Sequence, residues 1–220
     1  MQETGSNIEW LKKKLPPVVK LVAVSKNIPP EDIIAVYNTG HRCFGENRVQ
    51  GLLRKKDFLP PDIEWHLIGH LQRNKVKYIA SFISMIQSVD SLKLLGTINE
   101  EALKNDRVID CLLQVHIAEE ETKFGFDMDE LKDILAGEEP WKYSNIRICG
   151  LMGMSTFTDN IEQVRQEFRS LFNFFTSLKK DVFVNCEYFK EISMGMSGDY
   201  EIAIEEGSTM IRIGSLIFEE

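Results

Sequence analysis

Hydrophobic positions along this 220-residue chain follow two periods in alternation. Short, nearly continuous apolar runs recur at 21–26 (Leu-Val-Ala-Val-Ser-Lys), 43–45, 64–68, 85–89, 110–118, 146–152, 187–193 and 210–213. Runs of this length, rich in Val, Ile and Leu, read as strands buried on both faces. Between them, apolar residues recur three and four apart, as in helices with one buried face. These helices are predicted at about 30–39, 47–58, 73–81, up to 104, 127–136, 159–179 and 198–206. Another amphipathic helix, at 6–15 with Ile8, Leu11 and Leu15 on one side, precedes the first strand. Such alternation implies parallel strands joined by helical crossovers, and eight units predict an α/β fold of TIM type. The expected molecule is a single (β/α)8 barrel with an extra N-terminal helix, one domain spanning 1–220. An open doubly wound sheet is the alternative, but no Gly-x-Gly-x-x-Gly follows the first strand. The irregular segment 137–145, with Pro140 and Trp141, is too short to divide domains.

Composition narrows the partners. A net charge of −8 opposes polyanions, so neither nucleic acid nor an anionic membrane surface is expected to bind. No apolar run reaches the roughly 20 residues of a membrane-spanning helix, and the first ten residues lack the apolar core of a secretory signal. The four cysteines form no Cys-x-x-Cys and each adjoins an apolar run, which predicts reduced, buried thiols in a cytoplasmic protein and no metal site.

Lys26 ends the first strand. A partly desolvated ammonium loses its proton more readily, and the free amine attacks carbonyls. At the far end of the chain, Ser197 falls where a helix N-cap belongs, Gly198 opens that helix, and Gly214-Ser215 follows the last strand. Hydroxyls and free backbone N–H groups in these turns bind anions, and the loops after strands seven and eight of a barrel commonly cradle phosphate. Taken singly, each feature is a capped helix or a glycine turn. Arg212, two residues before Gly214, is expected to point into the barrel without an obvious partner. Lysine, cradle and arginine together describe a pyridoxal 5′-phosphate site: Lys26 for the aldehyde as a Schiff base, the cradle for the phosphate, Arg212 for the pyridine nitrogen. A fixed cation there disfavours ring protonation and leaves the ring a weak electron sink.

The histidines carry less. His66 and His70 stand four apart, a metal-pair spacing on a helix, but His66 falls in a strand, so a pocket role is expected for His66 and a structural or surface role for His70. His41 is expected to be exposed in a turn and His116 to be an interior strand residue. Gln72, Asn74 and Lys75 either reach a ligand or cap a helix, and Lys123 reads as a surface lysine.

Six motifs extend these features: AVSK at 23–26, GENRVQ at 45–50, WHLIGHLQRNK at 65–75, GLM at 150–152, SMGMSGDYEIAI at 193–204 and RIGSLIF at 212–218. In this order they resemble, over nearly the whole chain, the pyridoxal phosphate homeostasis proteins of the YggS/PROSC type, which share the alanine racemase barrel. The resemblance implies pyridoxal phosphate held on Lys26 as an aldimine, with Ser197, Gly198, Gly214 and Ser215 on the phosphate, Arg212 near the pyridine nitrogen, and Asn47 and His66 lining the pocket. It implies a role in vitamin B6 and amino-acid homeostasis, apo-enzymes as recipients of the cofactor, and a monomer. Arg48 and Gly51 depart from the family's usual tyrosine and glutamate, and the chain stops at Glu220 where relatives usually continue briefly. Alanine racemases take their second base, a tyrosine, from a C-terminal β-domain. Ending at strand eight, this chain is expected to be a cofactor carrier; the alternatives are a racemase-like enzyme of low activity and a cofactor-free barrel that binds another phosphate ester.

Overall fold

The computed structural model describes residues 2–120 and 124–219; Lys123 lies outside them. Helix α1 (Gln2–Lys14) precedes β1 (Lys20–Val24), and α2 (Pro30–Asn38), β2 (Cys43–Glu46), α3 (Val49–Lys55), β3 (Glu64–Leu67) and β4 (Met85–Val89) follow. Helix α4 (Leu92–Lys104), β5 (Ile109–Gln114), α5 (Met128–Ala136), β6 (Ile146–Met152), α6 (Ile161–Asp181) and β7 (Glu191–Ser193) come next. Helix α7 (Tyr200–Glu205), β8 (Met210–Ile213) and α8 (Ser215–Phe218) complete the chain. All eight strands pair in parallel and in sequence order, and β1 closes on β8 with Val22 opposite Arg212. The closed α/β barrel and its additional N-terminal helix are as the periodicity predicts.

Strand alternation sorts the side chains into two sets. Leu21 and Ala23, Trp65 and Leu67, and Ile211 and Ile213 pack outward beneath the helices in the large apolar core. Inward go Val22, Cys43, Met85, Leu112, Met152 and Met210. The same interior holds the buried polar side chains of His66, Gln87, Ser193 and Arg212. An apolar interior carrying one polar file is unusual for a barrel core, which is normally filled by branched aliphatic residues.

Three predicted elements are corrected, and one that the periodicity does not predict is added. Between β3 and β4 the chain winds as a 3-10 helix, Arg73–Tyr78, because the buried Val76 and Ile79 recur three apart, the repeat of the tighter helix. Strand β5 ends at Gln114; Val115 makes an isolated bridge to Phe126, so the chain leaves the barrel early. Strand β7 is only three residues long. The apolar residues before it build an aromatic stack, with Phe183 and Phe189 ring centroids 3.9 Å apart and Phe175 on Phe189 at 5.0 Å. Helix α8, which no periodicity announced, is a single turn.

His41 is buried rather than exposed. Gly40, at a φ of +82°, turns the chain inward, and the imidazole packs edge-on against Phe44, with Nε2 2.8 Å from the Cys43 carbonyl oxygen. Burial pushes its pKa down to about 4, and that of His66 down to about 3. In the unfolded chain both take up a proton near pH 6.5, while the folded chain refuses it. The stabilisation these neutral imidazoles contribute is therefore complete above pH 6.5 and drains away as pH falls towards 4, at about 1.4 kcal/mol per pH unit for each. Melting temperatures recorded from pH 7.5 to 4.5 should begin to fall near 6.5, before the carboxylate range. A curve flat down to pH 5 would contradict this, and His41→Gln should remove part of the slope.

Candidate functional site

Beyond β1 the chain is pinned before it reaches Lys26. Ser25 is buried, its hydroxyl donating to Glu46 Oε1 at 2.6 Å. Lys55 Nζ donates both to the Ser25 carbonyl at 2.6 Å and to Glu46 Oε1 at 2.7 Å. Asn27 then takes a left-handed turn, φ +61°, and Lys26 is carried to the rim. Its side chain is exposed rather than partly desolvated, since the strand stops two residues sooner than its apolar pattern predicts. Among the described residues it makes no hydrogen bond or ion pair.

A cavity of about 510 Å3 opens at the C-terminal ends of the strands, within the range of small-molecule sites. Lys26 and Asn47 line one side, and Ser197, Gly198, Gly214 and Ser215 the other. Arg212 is also part of its lining, though only 3% exposed. The two turns meet directly: the Gly214 N–H donates to Ser197 Oγ at 3.4 Å. Ser197 is not the N-cap of α7, however; Asp199 holds that position, and its carboxylate accepts from Met196 N at 2.6 Å and from the Ser155 hydroxyl at 2.8 Å. Residues 197–199 form a turn ahead of the helix, which leaves the Ser197 hydroxyl available to the cavity. Asn47 is set by close backbone approach: a Cβ on Gly69 would lie 2.4 Å from the Asn47 carbonyl oxygen.

Arg212 enters the barrel from β8. Its Nη1 donates to Ser193 Oγ at 2.7 Å and its Nη2 to the Gly153 carbonyl at 3.0 Å. Burial lowers its pKa to about 10, with the charge of Asp199 acting in the opposite sense. Neither direct partner is a carboxylate, so among the described residues no ion pair is made directly with the guanidinium.

His66 does not line the cavity. It is 1% exposed, deeper in the barrel, with Nδ1 2.8 Å from Gln87 Nε2 and Nε2 3.5 Å from Cys43 Sγ. His70 takes the place expected of it: four residues further on, past the strand end, it lines the cavity, stacks on Phe124 with centroids 3.8 Å apart and bonds Asp90 Oδ2 through Nδ1 at 2.9 Å. The position of His70 at the C-terminal mouth was the signal available in the sequence, because barrel sites form from those loops. Gln114, Phe124 and Met196 also line the cavity, and the sequence alone gives none of them a ligand-binding role. Gln72, Asn74 and Lys75 do not line it, Gln72 making no side-chain cap, and His116 is half-buried just past β5 with Nε2 3.0 Å from the Glu120 carbonyl. Arg48 and Gly51 border an adjoining groove of about 730 Å3 that shares Lys26 and Asn47 with the cavity.

At the opposite end of the barrel, ligand-type atoms of Cys43, Glu64 and His66 lie within 4.8 Å of one another. Glu64 is bonded there by Lys20 at 3.4 Å, and burial pushes the Cys43 thiol up to about 12, so this trio lacks the ready thiolate that a soft metal needs.

The sequence profile of the alanine racemase N-terminal domain family matches residues 2–220. A pyridoxal phosphate homeostasis protein of Aquifex aeolicus is 42% identical over 202 residues, covering 91% of this chain and 86% of the relative. Among solved structures, PipY of Synechococcus elongatus without pyridoxal phosphate superposes with a TM-score of 0.92 at 34% identity, covering 98% of this chain and 99% of that one. PipY with pyridoxal phosphate bound superposes with a TM-score of 0.87 at 33% identity, over the same shares of the two chains. No helix among the described residues is long and apolar enough to cross a membrane.

Proposed function

The chain belongs to the pyridoxal phosphate homeostasis family, built on the alanine racemase N-terminal barrel, and on that premise we propose that it binds pyridoxal 5′-phosphate at the barrel mouth and holds it for delivery to apo-enzymes. The observation that carries this reading is the convergence of Lys26, from the first βα turn, with the turns at 197–198 and 214–215 in one cavity. The donor set fits the group: a free primary amine, two hydroxyls and glycine backbone for a phosphate, and an unneutralised guanidinium. A Cβ built on Gly198 would meet nothing within 4 Å, so that wall of the cradle is open.

When bound, the cofactor supplies an aldehyde that condenses reversibly with a primary amine. Lys26 would provide that amine, and its exposure leaves the bond accessible to water, which suits release as well as capture. Ser197, Gly198, Gly214 and Ser215 would hold the phosphate through hydroxyl and backbone N–H donors. Arg212, which can donate but not accept, would keep the ring nitrogen unprotonated and so discourage turnover. Asn47 would line the same pocket. The described cysteines are free and three are buried, which fits a cytoplasmic setting, and the single closed barrel fits a monomer.

One observation favours a second reading, a racemase-like enzyme of low activity. His70, oriented by Asp90, gives the cavity a second group able to take a proton, although no tyrosine lines the cavity among the described residues. One preparation tests both readings. The purified chain mixed with pyridoxal phosphate and dialysed should keep a visible absorbance band, and borohydride followed by peptide mapping should place the label on Lys26. No retained band, or a label elsewhere, overturns the site. Sustained racemisation of L-alanine well above that of free cofactor would replace the carrier reading with the enzymatic one.

A further inference from the structure

Arginine has only donors, and that fact orients every polar group in the barrel interior. Ser193 Oγ lies 2.7 Å from Arg212 Nη1 and can only accept there. Its own proton is then committed to its second partner, Gln87 Oε1, at 2.7 Å. With Oε1 facing Ser193, the Gln87 amide nitrogen faces His66 Nδ1 at 2.8 Å and Met210 Sδ at 3.1 Å, both acceptors. His66 Nδ1 must therefore be unprotonated. A neutral imidazole that accepts at Nδ1 carries its proton on Nε2, which lies 3.5 Å from Cys43 Sγ. The file crosses the barrel through β8, β7, β4, β3 and β2, with each of its hydrogen bonds donated in the direction from Arg212 towards Cys43. Gln87 and Ser193 are 0% exposed, and no carboxylate or water-facing group interrupts the file among the described residues.

From this geometry we infer that Ser193, Gln87 and His66 are positioning residues for Arg212: a one-way hydrogen-bond relay that fixes the plane of the guanidinium and holds it at the cavity without neutralising its charge. A carboxylate in the place of Ser193 would also fix the arginine, but would cancel the field that the site needs. The relay supplies the orientation alone. It also explains a buried histidine with no direct part in the cavity. His66 is the acceptor that lets Gln87 point its oxygen at Ser193, and burial keeps it in the neutral form that can accept. The same tautomer directs an N–H, not a lone pair, at Cys43 and so argues against His66 as a metal ligand there. What the relay does for the cofactor rests on the proposed pyridoxal phosphate site; that it holds Arg212 does not.

Two readouts keep the two claims separate. Without cofactor, NMR of the arginine side chains should show one guanidinium with resolved, slowly exchanging Nη groups, and histidine spectra should show one imidazole fixed as the Nε2-H tautomer. Ser193→Ala should collapse the first signal to averaged Nη groups, Gln87→Leu should release the second, and Ser193→Thr, which restores the hydroxyl, should recover the first. With pyridoxal phosphate, Ser193→Ala should still be labelled at Lys26 by borohydride, but with a displaced absorbance maximum and about tenfold weaker retention, the loss expected of one buried charge-assisted hydrogen bond. Ser193→Thr should again restore both, and a circular dichroism melt identifies any variant that has unfolded. A folded Ser193→Ala with wild-type Nη exchange overturns the relay whatever the cofactor does. Wild-type Nη behaviour as expected in a chain that takes up no pyridoxal phosphate leaves the relay standing and overturns the cofactor reading. A displaced guanidinium with an unchanged cofactor spectrum and affinity overturns the claim that the relay serves the cofactor.

Discussion

Lys26→Ala is expected to abolish borohydride-fixable pyridoxal phosphate and to weaken retention of the cofactor roughly 100-fold, as a loss of about 2.7 kcal/mol would. The phosphate cradle does not depend on this residue. Gly214 N bonds Ser197 Oγ, and Arg212 is held by Ser193 and Gly153, all without Lys26. The variant should therefore still bind the free cofactor weakly, with the absorbance of the unattached aldehyde. Its stability should change by less than about 0.5 kcal/mol, the usual effect of an exposed side chain with no partner. The turn itself is built by Ser25, Glu46 and Lys55 rather than by Lys26. Absorbance after gel filtration, mass spectrometry after reduction and a urea melt measure the three effects. Covalent label surviving in the variant would move the attachment point elsewhere, Lys55 being an alternative amine on the adjoining groove.

What could be read from the chain beforehand depended on range. Each strand–helix pair is a local pattern, and Lys26, Ser197, Gly198, Gly214 and Ser215 sit at strand ends, where fold class alone fixes direction. Their convergence therefore followed from the fold. Side chains whose environment is assembled from several strands were harder to read. His66 and His70 exchanged roles because the strand ends at Leu67: residue 66 alternates inward to meet Gln87, and residue 70 emerges at the mouth beside Phe124 and Asp90. His41 looked like a turn residue, yet the turn at Gly40 folds it inward on Phe44. The strand expected from 187 overreached because Phe189 is apolar for an aromatic stack under α6, not for a sheet. Ser and Asp both cap helices, so the sequence does not choose between Ser197 and Asp199; the three-dimensional turn gives the position to Asp199.

The sharpest stability effect is expected from a residue remote from the cavity mouth. Gly150, in β6, has a φ of +153° and pairs with Glu191 of β7. A Cβ there would lie 1.7 Å from the Glu191 carbonyl oxygen and 2.6 Å from its carbonyl carbon, both backbone atoms that no rotamer change can clear. Gly150→Ala must therefore push β7 away from β6. Strand β7 is three residues long and has few ladder bonds with which to resist, yet it joins β6 to β8 and carries Ser193 to Arg212. Displacing it opens the sheet and breaks the polar file together, and the two losses should sum to about 4 kcal/mol, the upper range for a single substitution. For a chain of this length that corresponds to a fall of about 8–16 °C in Tm. Gly5→Ala serves as the control: its Cβ would come no closer than 3.6 Å to Thr39 Cγ2 within α1, so better helix propensity should raise stability by about 0.5–1 kcal/mol. A loss below about 1 kcal/mol in Gly150→Ala would mean that β7 moves freely. A strand that moves freely cannot hold Ser193 rigidly against the arginine, so this measurement, made on the empty barrel, bears directly on how the guanidinium is fixed.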